Sequence, residues 1–231
     1  MSVTTTGHEG PQEDGRNIEA VAGHHETRES RDFKERFALW LFITGDALFL
    51  AMELFFWFYL RALNTNGLWR GVDCSKANAC TDGLGNPLTH SIPKADPWYS
   101  VGIAALVVVS ALLIWGVERA ARTSEKRSIV SGLAGLAALV LLAAVALQCY
   151  QFGKVPFTTI QGTYASTYLF FMGSTLGHLL LLTFLGIGFW NRARVGKFDN
   201  GQWHHVRLFR IFAVWIALSA VILTAVSSLL A

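Results

Sequence analysis

The segment FALWLFITGDALFLAMELFFWFYLRAL, residues 37–63, decides the fold class of this chain. About 20 predominantly apolar residues are enough for a helix to cross the hydrocarbon core of a bilayer. The segment therefore predicts a membrane-spanning helix, although it contains two acids, Asp46 and Glu53. Their spacing corresponds to two helical turns, so both carboxyl groups project from one face, about 10 Å apart. Because an acid that faces lipid is costly, this face is expected to meet protein or water.

Two interpretations of Asp46 and Glu53 stand side by side. An acid within a membrane span is by default a functional group, which handles protons or contacts lipid or a partner. A protonated acid can also donate a hydrogen bond to a neighbouring helix and simply hold a bundle together. The two residues alone do not decide between these roles.

The composition of the whole chain indicates a membrane protein rather than a soluble globular domain. Of the 231 residues, 52% are hydrophobic and only 15% are charged. Long apolar runs with few charges predict five transmembrane helices in an all-α membrane bundle. These predicted spans are Phe37–Leu63, Trp98–Glu118, Ser128–Tyr150, Tyr164–Trp190 and Leu208–Leu230. The membrane domain is thus predicted to cover residues 36–231, with a long outer loop at residues 64–97.

The basic residues predict the orientation of these helices. Most of the 19 Lys and Arg residues lie in residues 1–36, 119–127 and 192–210. Such residues collect in cytoplasmic loops, so the N-terminus is expected in the cytoplasm and the C-terminus outside. The polar residues 1–35 are predicted to be a disordered or peripheral tail, and no secretory signal pattern opens the chain. Without a basic patch interleaved with aromatic residues, binding to nucleic acid is not expected.

The outer loop contains Cys74 and Cys80, which are placed to form a disulfide if this loop faces an oxidising compartment. The alternative is two free thiols. Cys149, near the end of the third predicted span, is expected to be a small packing residue. A metal site built from cysteines would require closer pairs and more ligands, so none is expected in this chain.

Only one of the seven histidines, His178, lies within a predicted span. A haem or copper centre held by imidazoles needs at least two such ligands, so this chain is not expected to hold one alone. Ser174 and Thr175 lie on the same helical face as His178. One interpretation is a hydrogen-bonded interior histidine, and the other is a residue that binds a lipid headgroup or lies on a proton path.

Three segments, in order along the chain, resemble subunit III of the haem-copper (cytochrome c) oxidases. Residues 161–178 (QGTYASTYLFFMGSTLGH) are similar to the family's Gly-x-Tyr-x-Ser helix, which ends in a pair of histidines. Residues 39–46 (LWLFITGD) resemble its Trp-Leu-Phe-x-x-Ser-Glu helix. Residues 203–205 (WHH) resemble its His-His entry to the last helix. Five spans are typical of the short bacterial form of this family.

The chain departs from the family pattern at several polar positions. The family's Glu in the first matched helix is Asp46 here, and the first histidine of its pair falls at Thr175. In the last helix the family's Glu falls at Phe209, whereas Trp215 keeps its place. The resemblance is therefore to a divergent branch.

The resemblance implies an accessory role without a catalytic centre in this chain. Subunit III holds phospholipid and supports proton uptake during oxygen reduction, while haem and copper belong to its partners. Those partners are the catalytic subunit I and the copper-bearing subunit II. The implied location is a bacterial-type cytoplasmic membrane.

The predicted cytoplasmic loops suggest two further roles. His204 and His205 could buffer protons near an entry point, because imidazole titrates close to physiological pH. Arg192, Arg194 and Arg207 are expected to hold anionic lipid headgroups, each contributing about 1 kcal/mol. The alternative is an interfacial loop whose charges only maintain the topology.

Three other functions remain open at the level of sequence. The nearest is the subunit III-like accessory protein of a nitric oxide reductase. A proton-coupled transporter would use Asp46 and Glu53, but it predicts repeats and broken spans, and all five Pro residues lie outside the predicted spans. A membrane anchor that completes a haem site with a partner would use His178.

Overall fold

The computed structural model describes residues 28–63, Trp69, and residues 93–123, 126–198 and 204–229. This part of the chain contains no strand. It forms five long helices, α1 (Arg28–Leu63), α2 (Pro97–Arg122), α3 (Arg127–Lys154), α4 (Thr163–Arg194) and α5 (His204–Thr224). Each helix is long and apolar enough to cross a membrane. The prediction of an all-α, multi-pass bundle of five helices is confirmed.

The helices extend beyond the predicted spans because helical hydrogen bonding continues into the polar residues that flank an apolar run. The largest difference is at α1, which begins at Arg28, so the end of the predicted polar tail is helical. The helix α5 begins at His204, and a π-helical segment at Ala225–Leu229 follows its end. The chain divides into two compact units, residues 1–37 and 38–231. In the first unit, the ring of Phe33 stacks on that of Phe37.

Local signals explain where two of the helices begin. A carboxylate oxygen of Asp96 accepts a hydrogen bond from the backbone N–H of Trp98 at 3.0 Å, and Pro97 occupies the first helical position of α2. These are the N-terminal residues that a helix favours. Before α4, Gly162 adopts φ 151° and ψ 173°, a conformation that is open essentially to glycine alone. It turns the chain from a 3₁₀ turn at Thr159–Gln161 into α4.

The helix α4 ends in a Schellman motif. Gly196 has a φ of 72°, in the left-handed region that glycine favours. Its N–H donates to the carbonyl of Ala193, and the N–H of Lys197 donates to the carbonyl of Arg192. These two bonds satisfy carbonyl groups that the helix leaves without partners. They set the start of the turn that follows α4.

Within the second unit, α2 packs against α3 and α5, and α3 packs against α4. The first helix is the least buried of the five spans. It contributes Leu50 and Trp57 to an apolar cluster shared with α4, and large side chains such as Trp40 and Phe55 are exposed. The helix α1 therefore joins the bundle through one narrow face, and that face carries the two acids.

Several predictions concern residues outside the described part of the chain. The disulfide between Cys74 and Cys80, and most of the outer loop, lie there. The same holds for most of the predicted N-terminal tail. Cys149 is described, and it is a free, exposed cysteine on α3. Its predicted role as a packing residue is wrong, because the rotation of α3 directs this side chain away from the bundle.

Candidate functional site

The carboxylate of Asp46 joins three helices of the bundle. Its Oδ1 lies 2.7 Å from Nε2 of His178 on α4, and its Oδ2 accepts a hydrogen bond from Nε1 of Trp215 on α5 at 2.6 Å. Asp46 itself is on α1, so residues far apart in sequence meet at one acid. Distances of this length are typical of charge-assisted hydrogen bonds. We refer to Asp46, His178 and Trp215 as the Asp46 cluster.

The contacts of His178 locate one proton in this cluster. Its Nδ1 lies 2.8 Å from the backbone carbonyl of Ser174. A carbonyl only accepts, so Nδ1 must carry the hydrogen. A second hydrogen is needed between Nε2 and Asp46 Oδ1, which makes the pair either an imidazolium with a carboxylate or a neutral imidazole with a carboxylic acid. In both cases the pair holds a single transferable proton.

Glu53 lies two turns further along α1 and is almost completely buried, with 1% of its surface exposed. Neither of its carboxyl oxygens has a hydrogen-bond partner among the described residues. The Ser174 side chain approaches its carboxyl group, and the charges of His178 and Asp46 act on it. The structure thus brings Asp46, Glu53 and His178 together. A buried polar group without a partner costs about 1–3 kcal/mol, so Glu53 is an expensive residue to retain for packing alone.

An aromatic cluster lies beyond Glu53, toward one end of the bundle. At this end α1 finishes and α2 begins, and the predicted outer loop joins them. Trp57, one turn beyond Glu53, stacks on Phe171 with ring centroids 5.2 Å apart. Trp57 also contacts Trp69 and Tyr164 edge to face. These side chains are fully or almost fully buried. They separate the acids from that end of the bundle by a layer of buried aromatic rings.

A second polar cluster, which the sequence analysis did not identify, lies between α2, α3 and α4. The side-chain amide of Gln151 donates to Ser100 at 3.0 Å and to the Tyr168 hydroxyl at 3.1 Å. Gln148 donates to Gln151 at 3.3 Å. A cavity of about 20 Å³ borders this cluster and reaches Thr175. That volume is sufficient for one water molecule. The signal in the sequence was Gln148 inside the third predicted span, with Gln151 directly after its end.

A third polar group, also missed, lies at the other end of α2. The Glu118 carboxylate is 2% exposed and is paired with two arginines. Arg122, one turn later on α2, binds Oε1, and Nε of Arg210 on α5 lies 2.7 Å from Oε2. The sequence offered one signal for this group. Glu118 and Arg122 are four residues apart, a spacing that places both side chains on one face of a helix. The partner on α5 is a tertiary contact.

The predicted proton-entry and lipid residues do not join the Asp46 cluster. His204 is buried and His205 half-buried, with their rings 5.9 Å apart. His204 precedes Trp215 by about 16 Å along α5. Arg194 lies over the Trp190 ring at 5.8 Å, Arg192 is exposed and Arg207 is half-exposed. These residues occupy the basic end of the bundle, apart from the acids.

No protein-family model matches this chain. No curated protein matches it either.

Proposed function

We propose that this chain is a non-redox accessory subunit of a respiratory haem-copper terminal oxidase in a bacterial-type cytoplasmic membrane. In this role it packs on the catalytic subunit, holds lipid and supports proton uptake during oxygen reduction. Haem and copper belong to the partner subunits. The N-terminus lies in the cytoplasm, as the distribution of basic residues predicts.

The observation that carries the proposal is the composition of the Asp46 cluster. Asp46, His178 and Trp215 come from the three helices that contain or directly follow the segments resembling subunit III. Separate resemblances along a chain have no reason to converge, yet these side chains meet through contacts of 2.7 Å and 2.6 Å. A shared polar centre is the arrangement expected when the three segments derive from one ancestral membrane subunit.

The exposure of the cluster supports a role within a complex. The side chains of Asp46 and His178 are 12% and 19% exposed, so the pair is not sealed inside the bundle. Lipid in direct contact with a polar pair at this depth would be costly. A partner subunit on the exposed face of α1 removes that cost and gives the shared proton a route across the interface.

The contacts of His178 disfavour the haem-anchor alternative. Both ring nitrogens are engaged, Nδ1 with a backbone carbonyl and Nε2 with Asp46. Ligation of a haem iron would require one of these bonds to break. The chain is therefore better suited to holding a proton than to holding a metal.

The test is affinity purification of the full chain from gently solubilised native membranes through an N-terminal tag, followed by mass spectrometry and absorbance. A stoichiometric haem-copper catalytic subunit with a copper-bearing partner is the expected result. A nitric oxide-reducing partner would transfer the proposal to the accessory protein of that enzyme. A lone, colourless chain would overturn the subunit proposal and favour a proton-coupled transporter.

A pair of glycine variants locates the interface. Gly45 is exposed beside Asp46, and a side chain added there meets nothing within 4 Å in this chain. If a partner covers Asp46, Gly45→Leu should reduce copurification of that partner without unfolding the bundle. The control is Gly188→Leu on α4, another exposed position with nothing within 4 Å. Equal copurification in both variants would place the interface elsewhere.

A further inference from the structure

An apolar groove runs along the surface between α2 and α5, with a volume of about 470 Å³. Two small residues, Ala111 of α2 and Ala217 of α5, form its floor and are almost completely buried. Trp115 and Leu218 project beside them as walls, and each is about half exposed. Small residues between protruding ones leave a groove whose lining, apart from Arg210, is entirely apolar.

One end of this groove is charged. Arg210 lines it there, with its Nε 2.7 Å from Glu118. Arg122 also binds Glu118, so two guanidinium groups share one carboxylate. The three groups sum to one positive charge. Glu118 anchors Arg210 at the mouth of the groove, and the surplus charge is complementary to a monoanion.

The length of the groove matches one leaflet of a bilayer. On α5 the lining residues extend from Arg210 to Val221, which corresponds to about 16 Å of helix. The hydrocarbon core of a bilayer is about 30 Å thick, so one leaflet contributes about 15 Å. The charged end therefore lies at headgroup depth when the apolar end lies near the bilayer centre. Both helices have their basic ends there, at Arg119 and Arg122 of α2 and at Arg207 and Arg210 of α5.

We propose that this groove binds a single anionic phospholipid, with one acyl chain between α2 and α5 and the phosphate at Arg210. Planar guanidinium groups form strong, oriented hydrogen bonds with phosphate. The site is separate from the arginines at 192, 194 and 207 that the sequence suggested. It does not depend on which complex the chain joins, because both walls belong to this chain.

The test is native mass spectrometry of the full-length chain, purified in detergent with any copurifying subunit. The chain is titrated with phosphatidylglycerol and, separately, with phosphatidylcholine of the same acyl chains. We expect one retained phosphatidylglycerol, and weaker retention of phosphatidylcholine. Arg210→Gln should weaken phosphatidylglycerol binding about fivefold and leave phosphatidylcholine binding unchanged.

A second variant tests the groove itself. Ala217→Phe fills the floor and should reduce retention of both lipids, whereas Ala105→Phe, at an exposed position of α2 outside the groove, should change neither. If Ala217→Phe unfolds the bundle, Leu218→Ala, which removes part of a wall, should lower retention instead. Equal binding of the two lipids by the unmodified chain would overturn the proposal. If the groove variants retain both lipids as well as the Ala105→Phe control does, the proposal is also overturned. Arg210 would then serve only to pair with Glu118 between α2 and α5.

Discussion

The side chain of Asp46 lies 2.7 Å from Nε2 of His178, across a sequence separation of 132 residues. Trp215 holds the other oxygen of the same carboxylate at 2.6 Å. Together with the buried side chains of Leu50, Glu53 and Trp57, this acid sets the rotation of α1 relative to α4 and α5. The contact between Asp46 and His178 therefore holds the shared proton and also helps to position α1.

The central prediction concerns Asp46→Asn. The amide retains the shape of the carboxylate and accepts the Trp215 hydrogen bond, so the bundle should assemble. It cannot exchange a proton with His178, so proton uptake in the copurified complex should slow or the active lifetime should shorten. The measurement is oxygen consumption and its decay during turnover. Turnover and lifetime equal to those of the unmodified complex would contradict the proposed role.

The second prediction separates the indole hydrogen bond from the packing of the Trp215 ring. Trp215→Phe removes the Nε1–H donor, and loss of this hydrogen bond should lower the free energy of unfolding by about 0.6–1.7 kcal/mol, between the average and the maximum for hydrogen bonds between membrane helices. In an Asp46→Leu background the same change should cost less by that amount, because the acceptor is gone and only ring packing is lost. Trp98→Phe, at a residue that is 76% exposed, is the control. An equal loss in both backgrounds would show that only packing is lost.

The third prediction contrasts two buried acids. Glu53 has no hydrogen-bond partner among the described residues, so Glu53→Leu should leave the free energy of unfolding unchanged or raise it. Glu118→Leu leaves the two arginines without their shared carboxylate. This change should lower the free energy of unfolding by about 1–3 kcal/mol. Denaturant titration of both variants checks the sign. A loss at Glu53 as large as that at Glu118 would make Glu53 a structural residue.

The fourth prediction concerns the polar cluster around Tyr168. Tyr168→Phe removes the hydroxyl that meets Gln151 at 3.1 Å and Ser100 at 3.2 Å. We expect a loss of about 0.6–1.7 kcal/mol in the free energy of unfolding. Tyr59→Phe, on an exposed ring that stacks on Phe55, should have no effect. If the two variants behave alike, the Gln151 amide must find another partner when the hydroxyl is removed.

The fifth prediction concerns the turn before α4. Gly162 has a φ of 151°, where a Cβ atom is strained, so Gly162→Ala should cost about 1–3 kcal/mol of unfolding free energy. Gly188→Ala, within α4, should cost nothing, because helical alanine is favoured and the added Cβ meets nothing within 4 Å. Thermal unfolding of both variants provides the comparison. Equal stability would mean that the turn relaxes to another conformation.

Local composition and spacing are enough to predict the five helices and the residues of the acidic site. A bilayer offers no hydrogen bonds to the backbone, so each apolar run of sufficient length must form a helix. A polar side chain in contact with lipid is costly, so a polar group within a span must meet protein or water. This argument identified Asp46, Glu53 and His178. Both arguments need only local composition and spacing.

The partners that those residues meet follow only from the packing of the helices against one another. Each residue of a helix is rotated about 100° from the last, so a small rotation of α1, α3 or α5 changes which side chains point inward. That rotation is set by packing between helices and is not encoded in any single span. It placed Trp215 on Asp46 and Arg210 on Glu118, and it directed Cys149 away from the bundle.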